Sequence, residues 1–259
     1  MFNYTPPRNL LNNKIILVTG AGDGIGRVAA KTYAAHGAKV ILLGRTINKL
    51  ESIYDEINKA EYPRPAIYPM DLEGATPNDY DDLAQTLSKE FGQLDGLLHN
   101  AGILGTLTPI EHYDIKQWYQ IMQINLNAPF MLTKACIGLL KAAPNASVVF
   151  TSSNVGRKAK AYWGAYAVSK FGIEGLMQIL ADELETNTKI RVNSINPGAT
   201  RTSMRATAYP GEDIKTVTPP EAIMPLYLYL MGADSSEVNG QAMDAQKSDS
   251  SNESEFSRI

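Results

Sequence analysis

The chain has 259 residues, 44% of them hydrophobic, and a formal net charge of −3, which suits one large domain with a sizeable core and is too short for two. That charge offers no basic field to a nucleic-acid backbone, and no apolar run reaches the roughly 18 residues of a membrane span. The N-terminus MFNYTPPRNLLNNK has no apolar signal core, so a cytoplasmic location is expected. The single cysteine, Cys136 in FMLTKACIGLL, reads as a buried helical thiol and allows no intrachain disulfide. His36, His99 and His112 are too scattered to gather on a metal, and no metal site is expected.

Residues 1–13 form a polar lead-in. Lys14 to Thr19 (KIILVT) then reads as a buried strand running into Gly20, Gly22, Asp23, Gly24, Ile25 and Gly26. A strand that turns through glycines into a helix aims amide N–H groups and the positive helix end at one spot, which suits a pyrophosphate. The helix from Ile25 to His36 stops at Gly37, and a second strand, Lys39 to Leu43, completes a βαβ unit. Where an NAD-selective protein carries an acid after this strand, the chain has Gly44 and Arg45. A guanidinium there pairs with a 2′-phosphate, which favours NADP over NAD, or else decorates a loop; Asp23 is a nearby charge of the opposite sense.

A helix from about Asn48 to Lys59 leads to a third strand around Ala66 to Met70, ending at Asp71 and Leu72. Asp71 either accepts from an adenine amino group or caps the helix through Thr76 to Phe91. The fourth strand, Leu94 to His99, ends in Asn100, Ala101 and Gly102, small residues that leave room for a cofactor, with Asn100 able to tie neighbouring strands. Tyr113 to Leu140 reads as one long helix broken near Pro129, and Asn125 inside it as the cause of a bend.

A strand from Val148 precedes Ser153, and a helix over Trp163 to Glu185 carries Tyr166 and Lys170 one turn apart on one face. A cation within about 4–6 Å of a phenol favours the phenolate, and such a tyrosine trades protons with an alcohol or carbonyl. Ser153 is placed to bond a substrate oxygen as charge develops. Gly164, Ala165, Ala167, Gly172 and Gly175 are read along exposed turns of this helix, as a subunit interface. A sixth strand, Ile190 to Ile195, opens into Pro197, Gly198, Thr200 and Thr202, a turn expected over the nicotinamide. Thr202 to Thr218 reads as an irregular substrate lid, Pro219 and Pro220 start a last helix to Met231, and the serine-rich residues 246–259 are expected to be disordered.

Together TGAGDGIG at 19–26, NAG at 100–102, Asn125, Ser153, YAVSK at 166–170 and PGATRT at 197–202 resemble the classical short-chain dehydrogenases/reductases, from about Leu11 to Asp244. VFTSSNVGRK, YWGAYAVSKFG and NPGATRTSMRA further resemble a bacterial branch, the YciK-like oxidoreductases. The resemblance implies a single Rossmann-like, doubly wound α/β domain over residues 14–245, with a seven-stranded parallel sheet flanked by helices. It implies Tyr166 as general acid/base, Lys170 also gripping the nicotinamide ribose, Ser153 orienting the substrate, and Asn125 holding a water in a proton relay. It also places Thr19, Gly20, Gly24, Ile25, Gly26, Asp71, Leu72, Asn100, Ala101, Pro197, Gly198 and Thr202 at the cofactor. The expected activity is NADP(H)-linked exchange of hydride with a small carbonyl or alcohol substrate in a homodimer or homotetramer; the alternative is an NADP-binding sensor or scaffold without turnover. Two departures stand out: His99 replaces a frequent asparagine, and EVNGQAMDAQ lacks the family's closing diglycine, which puts the last strand in question.

Overall fold

The structure is a computed structural model and describes residues 1–246. Seven strands pair in parallel: β1 (Ile15–Thr19), β2 (Lys39–Gly44), β3 (Ala66–Pro69), β4 (Gly96–His99), β5 (Ser147–Thr151), β6 (Arg191–Asn196) and β7 (Ala242–Asp244). Their order is β3-β2-β1-β4-β5-β6-β7, so the chain reverses direction across the sheet between β1 and β4, where open α/β sheets hold their ligands. Strands β1, β2, β4 and β5 are largely apolar because helices cover both faces, while β6 buries the polar Arg191, Asn193, Ser194 and Asn196. On one face α3 (Pro77–Phe91), α5 (Ala128–Ala142) and α6 (Gly164–Glu185) bury Tyr80, Leu83, Leu132, Cys136, Ile173 and Met177. On the other, α1 (Gly24–Ala35), α2 (Ile47–Lys59) and α8 (Met224–Met231) bury Ala29, Tyr33, Leu50, Ile53 and Tyr227.

The expected long helix is two helices. α4 (Ile115–Met122) is followed by a π-turn at Gln123–Asn127 before α5 begins. Pro129 has no N–H for the carbonyl one turn back, and the ladder loosens in the turn ahead of it. The last helix is likewise shorter than read, since Pro220–Ile223 forms a 3₁₀ turn ahead of α8. The expected irregular lid holds a short helix, α7 (Ser203–Ala208), capped by Thr202, whose hydroxyl accepts from Arg205 N. The small residues of α6 do not form an exposed stripe: Ala165 and Ala167 are buried, and the outward face carries Val168, Phe171 and Ile179 instead.

Strand β7 forms without the diglycine. Its backbone pairs with Ser194, Ile195 and Asn196 of β6, and Asp244 Oδ1 accepts from Asn196 Nδ2 at 2.7 Å and from Arg157 Nη1 at 2.9 Å. The lead-in is tied to this edge by Phe2 N donating to Ala245 O, and its rings pack on Tyr229. Gln246, read as the start of the tail, is anchored: its amide donates to the carbonyls of Pro197 and Ala199, each at 2.8 Å. Residues 247–259, the remainder of that expected tail, lie outside the described residues. No helix among the described residues is long and apolar enough to cross a membrane.

Candidate active site

A crevice of about 490 Å³ opens along the carboxyl ends of the strands, running from Arg45 and Asp71 at one end to Tyr166, Trp163 and Tyr209 at the other. At its middle the glycine turn enters α1. A side chain at Gly26 would strike Gly20 O and Asn100 Nδ2, so only glycine lets helix, turn and β4 meet there. Gly20, Gly22, Asp23, Gly24 and Ile25 line the crevice, whereas Thr19 and Gly26 are buried behind it. Thr19 Oγ1 accepts from Asn100 N (2.9 Å) and Ala101 N (3.0 Å), and so seats the end of β4 on β1. Asn100 completes that knot by donating to Thr19 O and accepting from Thr151, which confirms its reading as a tie between strands, while its backbone neighbours Ala101 and Gly102 face the crevice.

Asp23 is the N-cap of α1, accepting from Gly24 N at 2.7 Å, and Lys49 Nζ pairs with it at 2.6 Å. Lys49 holds the Asp23 carboxyl below its ordinary range, so the charge that would oppose a phosphate beside Gly44 and Arg45 is already neutralised. Sequence reasoning missed Lys49; a lysine in the first turn of a helix, where the dipole disfavours cations, was the available signal. Asp71 does not cap α3. Thr76 does, in a reciprocal box with Asp79, which leaves Asp71 and Leu72 facing the crevice.

At the other end Tyr166, Lys170 and Ser153 come together with the turn Pro197, Gly198 and Thr200. Thr202 reaches back toward the glycine turn, where a Cβ on Gly24 would lie 3.3 Å from its methyl. Lys170 Nζ sits 5.6 Å from the Tyr166 ring centre and donates to Thr151 O at 2.7 Å. The expected phenolate is not what this geometry favours. Both groups are buried, and desolvation pushes the Tyr166 phenol up to about 12, the Ser153 hydroxyl beside it pulling the other way. Burial likewise brings Lys170 down to about 8, with the Glu174 carboxylate opposing. Burial thus favours the protonated phenol. Ser152 Oγ, buried in the same wall, has no partner among the described residues and is free to bond a group in the crevice.

Asn125 stands in the π-turn, buried behind Gly102. Its Oδ1 accepts from Ile103 N (2.9 Å), and its Nδ2 donates to Ile103 O (2.9 Å) and Ser169 Oγ (3.1 Å), so it pins the crevice wall. A Cβ built on Gly102 would lie 3.3 Å from Asn125 Oδ1 and 3.9 Å from Lys170 Nζ, so the two groups share one small space. His99 plays no part: it is buried, stacks on Phe150 at 4.7 Å, contacts Thr133 Oγ1, and is kept neutral by burial, which takes it down to about 3.

The loop after Ser153 is fixed by contacts that the sequence reading did not contain. Gly156 packs so close to Lys170 that an added Cβ would lie 2.8 Å from the lysine Cβ. The next residue, Arg157, donates through Nε to Glu174 at 3.3 Å and through Nη1 to Asp244 at 2.9 Å. Glu174, four residues after Lys170 on the same helix face, also accepts from Ser194 Oγ at 2.6 Å. That spacing was the signal that could have found it.

Comparisons with known proteins fit this geometry. The family model described as short chain dehydrogenase matches residues 14–213. The Escherichia coli K12 oxidoreductase YciK is 51% identical over 244 residues, covering 94% of this chain and 96% of that one. A short chain dehydrogenase structure from Pseudomonas syringae is 56% identical at a TM-score of 0.93, covering 95% of this chain and 100% of that one. One from Escherichia coli CFT073, complexed with NADPH, is 52% identical at a TM-score of 0.91, covering 93% and 100%. The glycine turn, the Ser153, Tyr166 and Lys170 set and these matches lead to one conclusion: the chain belongs to the short-chain dehydrogenase family.

Proposed function

We propose that the protein is an NADP(H)-dependent oxidoreductase that moves hydride between the nicotinamide and a carbonyl or alcohol carbon, with Tyr166 handling the proton. The observation that carries this reading is that one crevice holds Arg45 at one end, the glycine turn at its middle, and Ser153, Tyr166 and Lys170 at the other end. The dinucleotide fits what is there. The N-terminus of α1 turns its positive end toward a pyrophosphate in the crevice, Gly102 and Gly24 leave space that a Cβ would fill, and Ser152 Oγ has no partner among the described residues. Arg45 would hold the 2′-phosphate, Asp71 and Leu72 the adenine, and Pro197, Gly198, Thr200 and Thr202 the nicotinamide half. When bound, the cofactor supplies or accepts hydride at nicotinamide C4.

The chain's own residues do the rest. Ser153 bonds the substrate oxygen and turns the carbonyl toward the phenol. Tyr166, protonated at neutral pH, donates to that oxygen as the carbonyl is reduced, and takes the proton back in the reverse direction. Lys170 replenishes the proton through the space it shares with Asn125 Oδ1. The NADPH complex of a relative 52% identical supports the cofactor assignment. We further read the exposed Val168, Phe171 and Ile179 of α6 as the face on which a second copy packs, in a cytoplasmic homo-oligomer. Tyr166→Phe tests the mechanism: NADPH oxidation with a reducible ketone falls by about 10²–10⁴-fold, the range for one general acid, while the NADPH Kd from fluorescence titration stays within about twofold. Retained turnover refutes the role, and a wild type that binds NADPH but consumes none with any carbonyl is the sensor instead.

A further inference from the structure

Resting on the carbonyl-reduction reading above, we propose that the substrate is an uncharged, apolar carbonyl compound, and that an ion pair on the lid, Arg205 with Glu212, excludes acids. Beyond Ser153 and Tyr166 the crevice is walled by Ile103, Leu104, Trp163, Met204, Ala208 and Tyr209. The Trp163 ring lies 5.7 Å from that of Tyr166 and 6.1 Å from that of Tyr209, so an aromatic surface runs from the reacting phenol out under the lid. The charged side chain lining this end beside Lys170 is Arg205.

Arg205 is not free to meet an anion. Its Nε and Nη2 donate to the two oxygens of Glu212 at 2.7 and 2.6 Å, and its guanidinium lies 3.7 Å over the Tyr209 ring. The bidentate pair and the stack use the planar fork and one of its faces, so the arginine stiffens the lid and adds no net charge to the wall. A carboxylate entering here leaves water for an apolar wall and meets an arginine whose Nε and Nη2 are already taken by Glu212. A neutral hydrocarbon body meets neither obstacle and gains from burial against Trp163, Met204 and Tyr209. The selectivity resides in Glu212, since without it the same arginine becomes an anion site.

The test uses two ketones that share the 4-acetylphenyl body and differ in a methyl ester against a carboxylate, methyl 4-acetylbenzoate and 4-acetylbenzoate. Each is assayed for NADPH oxidation and, by calorimetry, for binding to the enzyme with NADP⁺. The ester is expected to exceed the acid by about 30-fold or more in both kcat/KM and affinity, the desolvation of an unpaired carboxylate setting the difference. Glu212→Gln keeps the shape, releases Arg205, and is expected to narrow that ratio by about tenfold through gain on the acid. The proposal is overturned if the wild type takes the acid as well as the ester, if the ester does not bind, if Arg205→Ala depresses acid turnover, or if Glu212→Gln leaves the ratio unchanged. If the ester binds with its advantage and no NADPH is consumed, the charge-selective pocket stands and the hydride-transfer reading falls.

Discussion

Replacing Arg157 by alanine removes a group that joins the loop after Ser153, the helix of Lys170 and the last strand. Glu174 then keeps only the Ser194 hydroxyl at 2.6 Å, and its side chain is 9% exposed against 29% for Arg157. Stripping the partner from a buried carboxylate costs about 3–5 kcal/mol. Because water reaches the Arg157 side of this pair, the cost falls to or below the bottom of that range, about 2–3 kcal/mol. The second contact, to Asp244, adds little: that side chain is 46% exposed, and such pairs contribute about 0–1 kcal/mol. A total near 3 kcal/mol, at about 2–4 °C per kcal/mol for a chain of this size, lowers the melting midpoint by roughly 6–12 °C. Differential scanning calorimetry of the cofactor-free protein reads this directly. Glu174→Gln, which keeps the Ser194 contact and drops the charge, should cost less. The double variant should fall short of the sum by about 1–2 kcal/mol, because the two side chains share one interaction. An Arg157→Ala protein that melts within about 2 °C of wild type, or strict additivity of the pair, refutes the reasoning.

Two further outcomes follow from the electrostatics of the crevice. Lys170 is brought down to about 8 from 10.5 by burial, so the unfolded chain binds more protons than the folded one between those values. Its contribution to stability is therefore fully present above 10.5, lost as pH falls through 8, and at pH 7 the folded state carries the cost. Relative to Lys170→Met, the wild type should gain about 2 kcal/mol between pH 7 and pH 10 in urea unfolding; a flat difference means that the ammonium is better solvated than its burial implies. Arg45→Asp restores an acid at the end of β2 and should lower the NADPH-to-NADH ratio of kcat/KM by about a hundredfold or more, as charge-assisted bonds to the 2′-phosphate are lost; an unchanged ratio removes Arg45 from cofactor selection.

Local sequence determined whatever depends on neighbours along the chain. The glycine turn between a strand and a helix, the alternation of strands and helices that makes a parallel sheet, and the one-turn spacing of Tyr166 and Lys170 are short-range patterns. Most elements came out within a few residues of their reading, the Pro129 region, the lid and the start of the last helix being the exceptions. Tertiary structure alone decided what depends on burial and on groups distant in sequence. The shared spacing says that an ammonium sits near a phenol, yet whether it ionises that phenol depends on how much water both lose, and burial pushes the phenol up instead of down. Lys49 neutralising Asp23, Arg157 spanning to Asp244, Gln246 holding the Pro197 turn and Glu212 occupying Arg205 pair residues that a local pattern does not link. Desolvation and long-range pairing are sums over the folded surroundings, and no window of sequence contains those surroundings.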